Sequence, residues 1–117
     1  MAVFSKAKLS ASTNGRNVTV VQTATAGTTV HQAGAGSDSG AIDEVWLYAT
    51  NIDTAQIELT LEWGDAAATD NIKITIPPKS GLTLVSPGII LTGGLYVKAF
   101  AAVASKILLF GYVNRVT

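Results

Sequence analysis

Residues 56–63 read QIELTLEW, in which apolar and polar side chains alternate without a break. One face of an extended strand would collect the apolar side chains of Ile57, Leu59, Leu61 and Trp63. Residues 71–76, NIKITI, repeat the alternation. A period of two residues is typical of a β-strand that buries one face. Both stretches therefore predict strands that cover a core on one side and face solvent on the other.

Two further stretches, 44–51 and 106–115, are apolar on both faces. In the first, Trp46 and Tyr48 oppose Val45 and Leu47. Such strands need a cover on each side. In a sandwich of 117 residues one cover is the opposite sheet, so the second is a loop, the N-terminal arm or another subunit.

Turn signals separate the apolar runs at the spacing of about 8 to 12 residues that all-β sandwiches and barrels show. Pro77-Pro78 is predicted to end a strand, and Pro87-Gly88 to mark the next corner. The predicted strands occupy residues 18–25, 28–32, 44–51, 56–63, 71–76, 81–85, 89–91, 95–101 and 106–115. We predict an all-β, single-domain antiparallel β-sandwich, jelly-roll-like, with eight or nine short strands.

The domain organisation follows from the same pattern. Residues 1–16 are interpreted as an N-terminal arm or edge strand, and residues 17–117 as the β-sandwich domain. Residues 33–40, rich in glycine, alanine and serine, are predicted to form a flexible loop. At most one short helical turn is expected, because the two alanine-rich stretches are shorter than an ordinary helix.

Composition excludes several classes of protein. The chain has no cysteine, so disulfides and thiol-based sites are excluded. A formal net charge of zero argues against a nucleic-acid partner, since phosphate neutralisation needs a basic excess. No apolar run reaches the roughly 18 residues of a spanning helix, so we expect neither a membrane partner nor a signal peptide.

The charges are segregated along the chain. All eight acids lie within residues 38–70, whereas three bases precede that block and five follow it. Cross-strand pairing would neutralise these charges locally. Placement on different edges would instead make each subunit a dipolar block suited to contacts in a ring or lattice. Both alternatives stay open at this stage.

Candidates for chemistry are few. His31 is the only histidine and is interpreted as an ordinary strand residue. Glu58 and Glu62 lie about 13 Å apart along one strand face, farther than a glycosidase pair, and are expected to be solvated. Asp65 and Asp70 suit turns better than a calcium site. We therefore assign no catalytic, cofactor-binding or metal-binding residue and expect no cofactor and no enzyme.

Aromatic side chains are the remaining candidates for recognition, since they stack on sugars and dominate interfaces. The candidates are Trp46, Tyr48, Trp63, Tyr96 and Tyr112. Core packing is the competing interpretation for each.

The chain resembles the small all-β structural proteins of tailed-phage virions, of the capsid cement or decoration type. The resemblance is carried by VWLYATN at 45–51, LEWG at 61–64, IPPKSG at 76–81 and GYVNR at 111–115. It implies a jelly-roll-like sandwich, a homo-oligomer with a trimer favoured, and a place on the virion after synthesis in the host cytoplasm. No catalytic residue comes with it.

The leading hypothesis is therefore a non-enzymatic virion protein that binds and stabilises the shell through subunit contacts. Its partners would be copies of itself and the major capsid protein or other virion proteins. A tail or fibre component is the alternative within that class, and a carbohydrate-binding or adhesion module that takes a glycan is the alternative outside it. The candidate interface residues are Lys6, Lys8, Arg16, Trp46, Tyr48, Tyr112 and Arg115.

Overall fold

The computed structural model describes residues 3–34 and 41–117, which form nine β-strands and one short 3-10 turn at Ala68–Asp70. The strands are β1 Phe4–Lys8, β2 Val18–Thr19, β3 Thr28–Gln32, β4 Ile42–Asn51, β5 Ile57–Trp63, β6 Asn71–Ile76, β7 Thr83–Leu91, β8 Tyr96–Ala101 and β9 Ile107–Val116. Within the described ranges no helix is long and apolar enough to cross a membrane. The predicted loop at 33–40, beyond Ala33 and Gly34, lies outside the described residues, as does Asp38.

The strands form two antiparallel sheets. The five-stranded sheet has the order β1-β9-β4-β7, and β2 also pairs with β9. The four-stranded sheet has the order β3-β8-β5-β6. Because β1 and β2 pair with different parts of β9, they act as two halves of one first strand. With β1 and β2 counted as one strand, eight strands in these two sheet orders have the connectivity of a jelly roll, which confirms the predicted fold class.

The core lies between the two sheets. Alternate residues of each strand point inward, as the period of QIELTLEW and NIKITI predicts. The largest fully buried apolar side chains include Leu47 and Leu109 from one sheet and Leu59 and Leu61 from the other. Burial of this kind contributes about 1.5–3 kcal/mol for each large side chain.

The β7 region differs from its prediction. The two strands expected at 81–85 and 89–91 are one strand, Thr83–Leu91, and Pro87-Gly88 lies inside it instead of at a corner. The pairing of β4 with β7 shifts register between Val45 and Trp46 and between Leu47 and Tyr48. Because these bulges absorb residues that do not fit a regular ladder, the edge strand continues past the proline.

Candidate functional site

The outer face of the five-stranded sheet, which points away from the four-stranded sheet, carries a row of ordered aromatic side chains. Trp46 on β4 and Tyr112 on β9 are register partners, and their rings stack with centroids 6.3 Å apart and planes 12° apart. The Lys6 ammonium on β1 lies 4.7 Å from the Tyr112 ring centroid. Stacking and cation–π contacts each contribute on the order of 1 kcal/mol. The three side chains therefore form one continuous row across the sheet.

Gly88 shapes the end of this row. Its φ is +76°, and a Cβ there would lie 2.9 Å from two carbon atoms of the Trp46 indole. Glycine is needed for both reasons, since an L side chain rarely adopts that φ and has no room beside the ring. The Trp46 Nε1–H is buried and has no acceptor among the described residues. Packing on the β7 backbone, instead of a hydrogen bond, holds the indole.

A second apolar row runs parallel to the first. Tyr48 is opposite Phe110 on one side and Leu84 on the other. Tyr48 and Phe110 are half-buried, whereas Leu84 is 46% exposed. Ile90, opposite Glu44, is 56% exposed. The part of the outer face around Trp46 and Tyr48 is thus apolar and aromatic and in contact with solvent, which fits the expectation that β4 and β9 are apolar on both faces.

Most of the predicted interface residues share one face of this sheet. Lys6, Lys8, Trp46, Tyr48 and Tyr112 share the outer face, as their cross-strand register requires.

Two predicted interface residues lie away from the outer face. Arg16 is exposed in the segment between β1 and β2. Arg115 lies on the inner face, where its Nε is 2.7 Å from Asp43 Oδ1 and its Nη2 is 2.8 Å from Asp43 Oδ2.

The Asp43 carboxylate is the centre of a buried polar cluster. Asp43 is 0% exposed and is the register partner of Arg115 across β4 and β9. His31 Nε2 lies 2.7 Å from Asp43 Oδ2, and the Gly34 N–H donates to the same oxygen at 3.2 Å. Because His31 belongs to the four-stranded sheet and Asp43 to the other, this cluster ties the two sheets together at one end of the sandwich.

His31 reaches the core side through a bulge. The pairing of β3 with β8 shifts between Thr29 and His31, which brings His31 opposite the buried Val97. Its Nδ1 accepts a hydrogen bond from the Ser10 backbone N–H at 3.0 Å. An acceptor at Nδ1 requires the proton at Nε2, so the geometry assigns the neutral tautomer that donates to Asp43.

Opposing effects act on the Asp43 pKa. Burial desolvates the carboxylate and would raise its pKa, but hydrogen bonds from Arg115 and His31, together with the positive charge of Arg115, outweigh it. The net result is a pKa below its usual 3.8. The same pair raises the pKa of Arg115, chiefly through the hydrogen bond with Asp43. Asp43 is therefore an ionised carboxylate matched to a guanidinium.

The cluster contains Ser10, His31 and Asp43, yet its geometry does not suit nucleophilic catalysis. A triad needs one imidazole nitrogen free to take a proton from the serine hydroxyl. Here that nitrogen accepts from the Ser10 backbone N–H, and the Ser10 hydroxyl oxygen accepts from the Gln32 N–H at 2.6 Å. With His31 only 1% exposed, a substrate would have no access to the ring. The arrangement suits a structural tie between sheets.

Sequence reasoning missed this cluster, although a signal was present. Asp43 is in phase with Val45, Leu47 and Ala49, and all three are 0% exposed. Arg115 is in phase with Val113 on β9. A charged residue at a position whose phase is inward needs a partner. Asp43 and Arg115 are two such residues, each at or next to the end of a stretch that is apolar on both faces, so the sequence contained the signal for an ion pair between them.

The charge pattern resolves largely into cross-strand neighbours among the described residues. The acidic strands β4 and β5 are central, and basic residues on β9, β6 and β8 flank them. Besides the Asp43 pair, Lys73 Nζ lies 3.7 Å from Glu58 Oε1. Lys98 is the register partner of Glu62. Cross-strand ion pairs therefore account for Asp43 with Arg115 and for Glu58 with Lys73, whereas the acids in loops lie outside this pattern.

Glu62 departs from the prediction of a solvated face. It is 2% exposed, and its carboxylate accepts from the Thr25 hydroxyl at 2.5 Å and from the Gly27 N–H at 2.6 Å. The segment before β3 thus folds over the outer face of β5. Glu58, in contrast, is exposed as expected.

A cleft of about 480 Å³ opens beside β5 and β7. Trp63 lines it together with Asp65, Asp70, Ile90 and Leu95. The Trp63 Nε1–H donates to the Ile90 carbonyl at 3.1 Å, which fixes the indole. Over the described residues, no group of three or more His, Cys, Asp or Glu side chains could hold a metal ion.

Comparisons with known proteins add no assignment. No protein-family model, no curated protein and no solved structure matches the chain.

Proposed function

We propose that this chain is a non-enzymatic structural protein of a tailed-phage virion, in the form of a capsid cement or decoration protein. It is made in the host cytoplasm, assembles as a homo-oligomer, favoured as a trimer, and binds the major capsid protein or other virion proteins. The observation that carries the proposal is the apolar and aromatic outer face of the five-stranded sheet, with its exposed Leu84.

The chemistry of that face suits a protein partner. Aromatic residues are enriched in the centres of interfaces, where they bury much area at small entropic cost. Trp46 and Tyr112 are already held in a stack, and Lys6 is held over the tyrosine ring. A preorganised surface loses little further freedom when a partner covers it.

The polar side chains that could take part in catalysis are engaged in the fold. Both nitrogens of His31 are engaged in the fold. Both oxygens of Glu62 accept hydrogen bonds from the segment that covers it. These side chains stabilise the sandwich. The resemblance to virion proteins supports the proposed location on the virion.

Localisation on particles tests the proposal. Virions purified from the host that carries the gene are examined by mass spectrometry and by immunogold electron microscopy with an antibody to the chain. We expect label on the shell. Label on the tail would assign the chain to the tail or fibre alternative, and particles that lack the chain would contradict the proposal.

A surface variant tests whether the outer face makes the contact. Leu84→Asp puts a charge on this face, whereas Val103→Asp puts the same charge on a residue that is 41% exposed in the turn between β8 and β9. We expect the first to lose binding to the shell and the second to keep it. Circular dichroism and the unfolding temperature check that both variants fold.

A glycan-binding module is the second candidate. The cleft lined by Trp63, Asp65 and Asp70 combines an indole with carboxylate acceptors, a combination that binds sugars. A glycan array with the wild type and with Trp63→Ala tests it. Binding that disappears in a folded Trp63→Ala variant favours this candidate, and no binding to any glycan counts against it.

A further inference from the structure

The first strand makes one lateral margin of the sandwich basic and apolar. We call this margin the basic edge, and it consists of Val3, Phe4, Lys6 and Lys8. Phe4 is 77% exposed and Val3 is 58% exposed. Both lysines are exposed on the same face of β1 as Phe4. An exposed phenylalanine beside two lysines forms a surface that complements a partner with apolar and acidic side chains.

The opposite margin has the complementary character. The acidic cleft consists of Trp63, Asp65, Asp70, Ile90 and Leu95. Ile90 is 56% exposed and Leu95 is 50% exposed. Both aspartates are exposed, and no lysine or arginine is among the cleft's lining residues. These loop acids are the charges that cross-strand pairing does not neutralise.

The sheet register sets the relative position of the two patches. Lys6 is opposite Asn114, Asn114 is opposite Glu44, and Glu44 is opposite Ile90. Lys6 and Ile90 therefore stand at the two ends of one cross-strand row, three strand spacings or about 14 Å apart along the sheet. Ile90, the β7 residue of the cleft, thus lies across the sheet from the basic edge and at the same level. One chain cannot bring its own edge into its own cleft.

We propose that the acidic cleft of one chain receives the basic edge of a second copy of this chain. Phe4 inserts beside Ile90 and Leu95, and the two lysines face Asp65 and Asp70. Because two different patches meet, the contact is head-to-tail and closes into a ring when the rotation between neighbours permits it. The inference deepens the proposed function by naming the contact that holds the homo-oligomer together, and it rests on that function for its setting only.

A charge-swap experiment tests the contact. The edge variant carries Lys6→Glu and Lys8→Glu, the cleft variant carries Asp65→Lys and Asp70→Lys, and the swapped variant carries all four substitutions. A matched control carries Lys79→Glu and Lys106→Glu, which change the net charge as the edge variant does but near the other end of the sandwich, where the backbones of both residues bond to the Asn51–Ile52 segment. Sedimentation equilibrium in about 0.1 M salt measures self-association of each, and circular dichroism checks folding.

We expect the wild type and the control to associate equally. The edge and cleft variants each associate at least about a hundredfold more weakly, since like charges juxtaposed at an interface cost several kcal/mol. The swapped variant regains association because its charges are complementary again. An equimolar mixture of edge and cleft variants also associates, and added salt weakens the wild-type contact.

Three results would overturn the inference: a monomeric wild type up to high micromolar concentration, association that neither single-margin variant weakens, or a swapped variant that does not recover. If an edge variant does not fold, Lys6→Gln with Lys8→Gln replaces it, with the same expected direction. The proposed function is judged separately, because the presence of the chain on virions and the effect of Leu84→Asp do not depend on this contact.

Discussion

Asp43→Asn perturbs the buried cluster with the smallest change in shape. The substitution removes the charge that Arg115 and His31 share and replaces one acceptor oxygen by an amide donor. Donors converge on both oxygens of Asp43, from Arg115 at 2.7 and 2.8 Å, His31 at 2.7 Å and Gly34 at 3.2 Å. The new NH₂ group therefore faces at least one other donor whichever way the amide is oriented.

The magnitude follows from the burial of the two partners. Removing one member of a buried ion pair costs about 3–5 kcal/mol. Arg115 has a side chain that is 32% exposed, so water can partly resolvate it when its partner is lost. We therefore expect a loss near the lower limit, about 3 kcal/mol of the free energy of unfolding. With a urea m-value of about 2 kcal/mol/M, the midpoint falls by about 1.5 M.

Urea unfolding followed by circular dichroism measures this loss, with Glu58→Gln as the control. Glu58 is paired with Lys73 at 3.7 Å on the surface, and such pairs contribute about 0–1 kcal/mol. A loss below about 1 kcal/mol for Asp43→Asn would refute the reasoning, because the cluster would then behave like an exposed pair.

The pH dependence provides a second check on Asp43. Its pKa is lower in the folded chain than its usual 3.8, so its contribution to stability is present above that value and is lost as the pH falls through the folded pKa. Asparagine has no such titration. The difference in stability between wild type and Asp43→Asn should therefore shrink below about pH 4. A difference that stays constant down to pH 2 would contradict the assigned ion pair.

Two further predictions concern the aromatic row and the core. Gly88 and Gly81 have nearly the same positive φ, +76° and +77°. An alanine side chain at residue 88 would meet Trp46, whereas one at residue 81 would meet no atom within 4 Å. We expect Gly81→Ala to lower the free energy of unfolding by about 1 kcal/mol through backbone strain. Gly88→Ala should lower it by about 1–3 kcal/mol more and shift the tryptophan emission, because its side chain meets the indole. Equal losses for the two variants would mean that the indole moves freely. Leu47→Ala in the core should lower the free energy of unfolding by about 2–5 kcal/mol, as measured by urea unfolding. Leu82 is 58% exposed, so Leu82→Ala should lower it by less than about 0.5 kcal/mol. Similar losses for the two variants would contradict the assigned core.

The sequence predicts the strands well where the alternation of apolar and polar residues is the only local signal. Strict alternation marks β5 and β6, and the predicted bounds of β6 agree with the structure. It fails at β7, because Pro87 and Gly88 follow the rules for turns and only pairing with β4 shows that bulges accommodate them. It also overestimates β2, where only Val18–Thr19 pair with β9.

The candidate surface is predictable in part. Alternation puts Trp46 and Tyr48 on one face of β4 and shows that both faces are apolar. The partner strand is not encoded locally, so the stack with Tyr112 and the position of Lys6 over that ring depend on the order β1-β9-β4. Arg115, grouped with the interface by its charge, lies on the inner face because its phase along β9 is opposite to that of Tyr112.

Local periodicity and turn chemistry by themselves determined that this chain is an all-β sandwich with strands apolar on both faces, since both depend only on neighbours along the chain. Only the tertiary structure decided which strands are adjacent. That adjacency brings His31, Asp43 and Arg115 into one cluster, although Asp43 and Arg115 are 72 residues apart in sequence. It also leaves a basic edge on β1 and an acidic cleft beside the end of β7, because cross-strand pairing does not reach Asp65 and Asp70, which lie in the connection between β5 and β6.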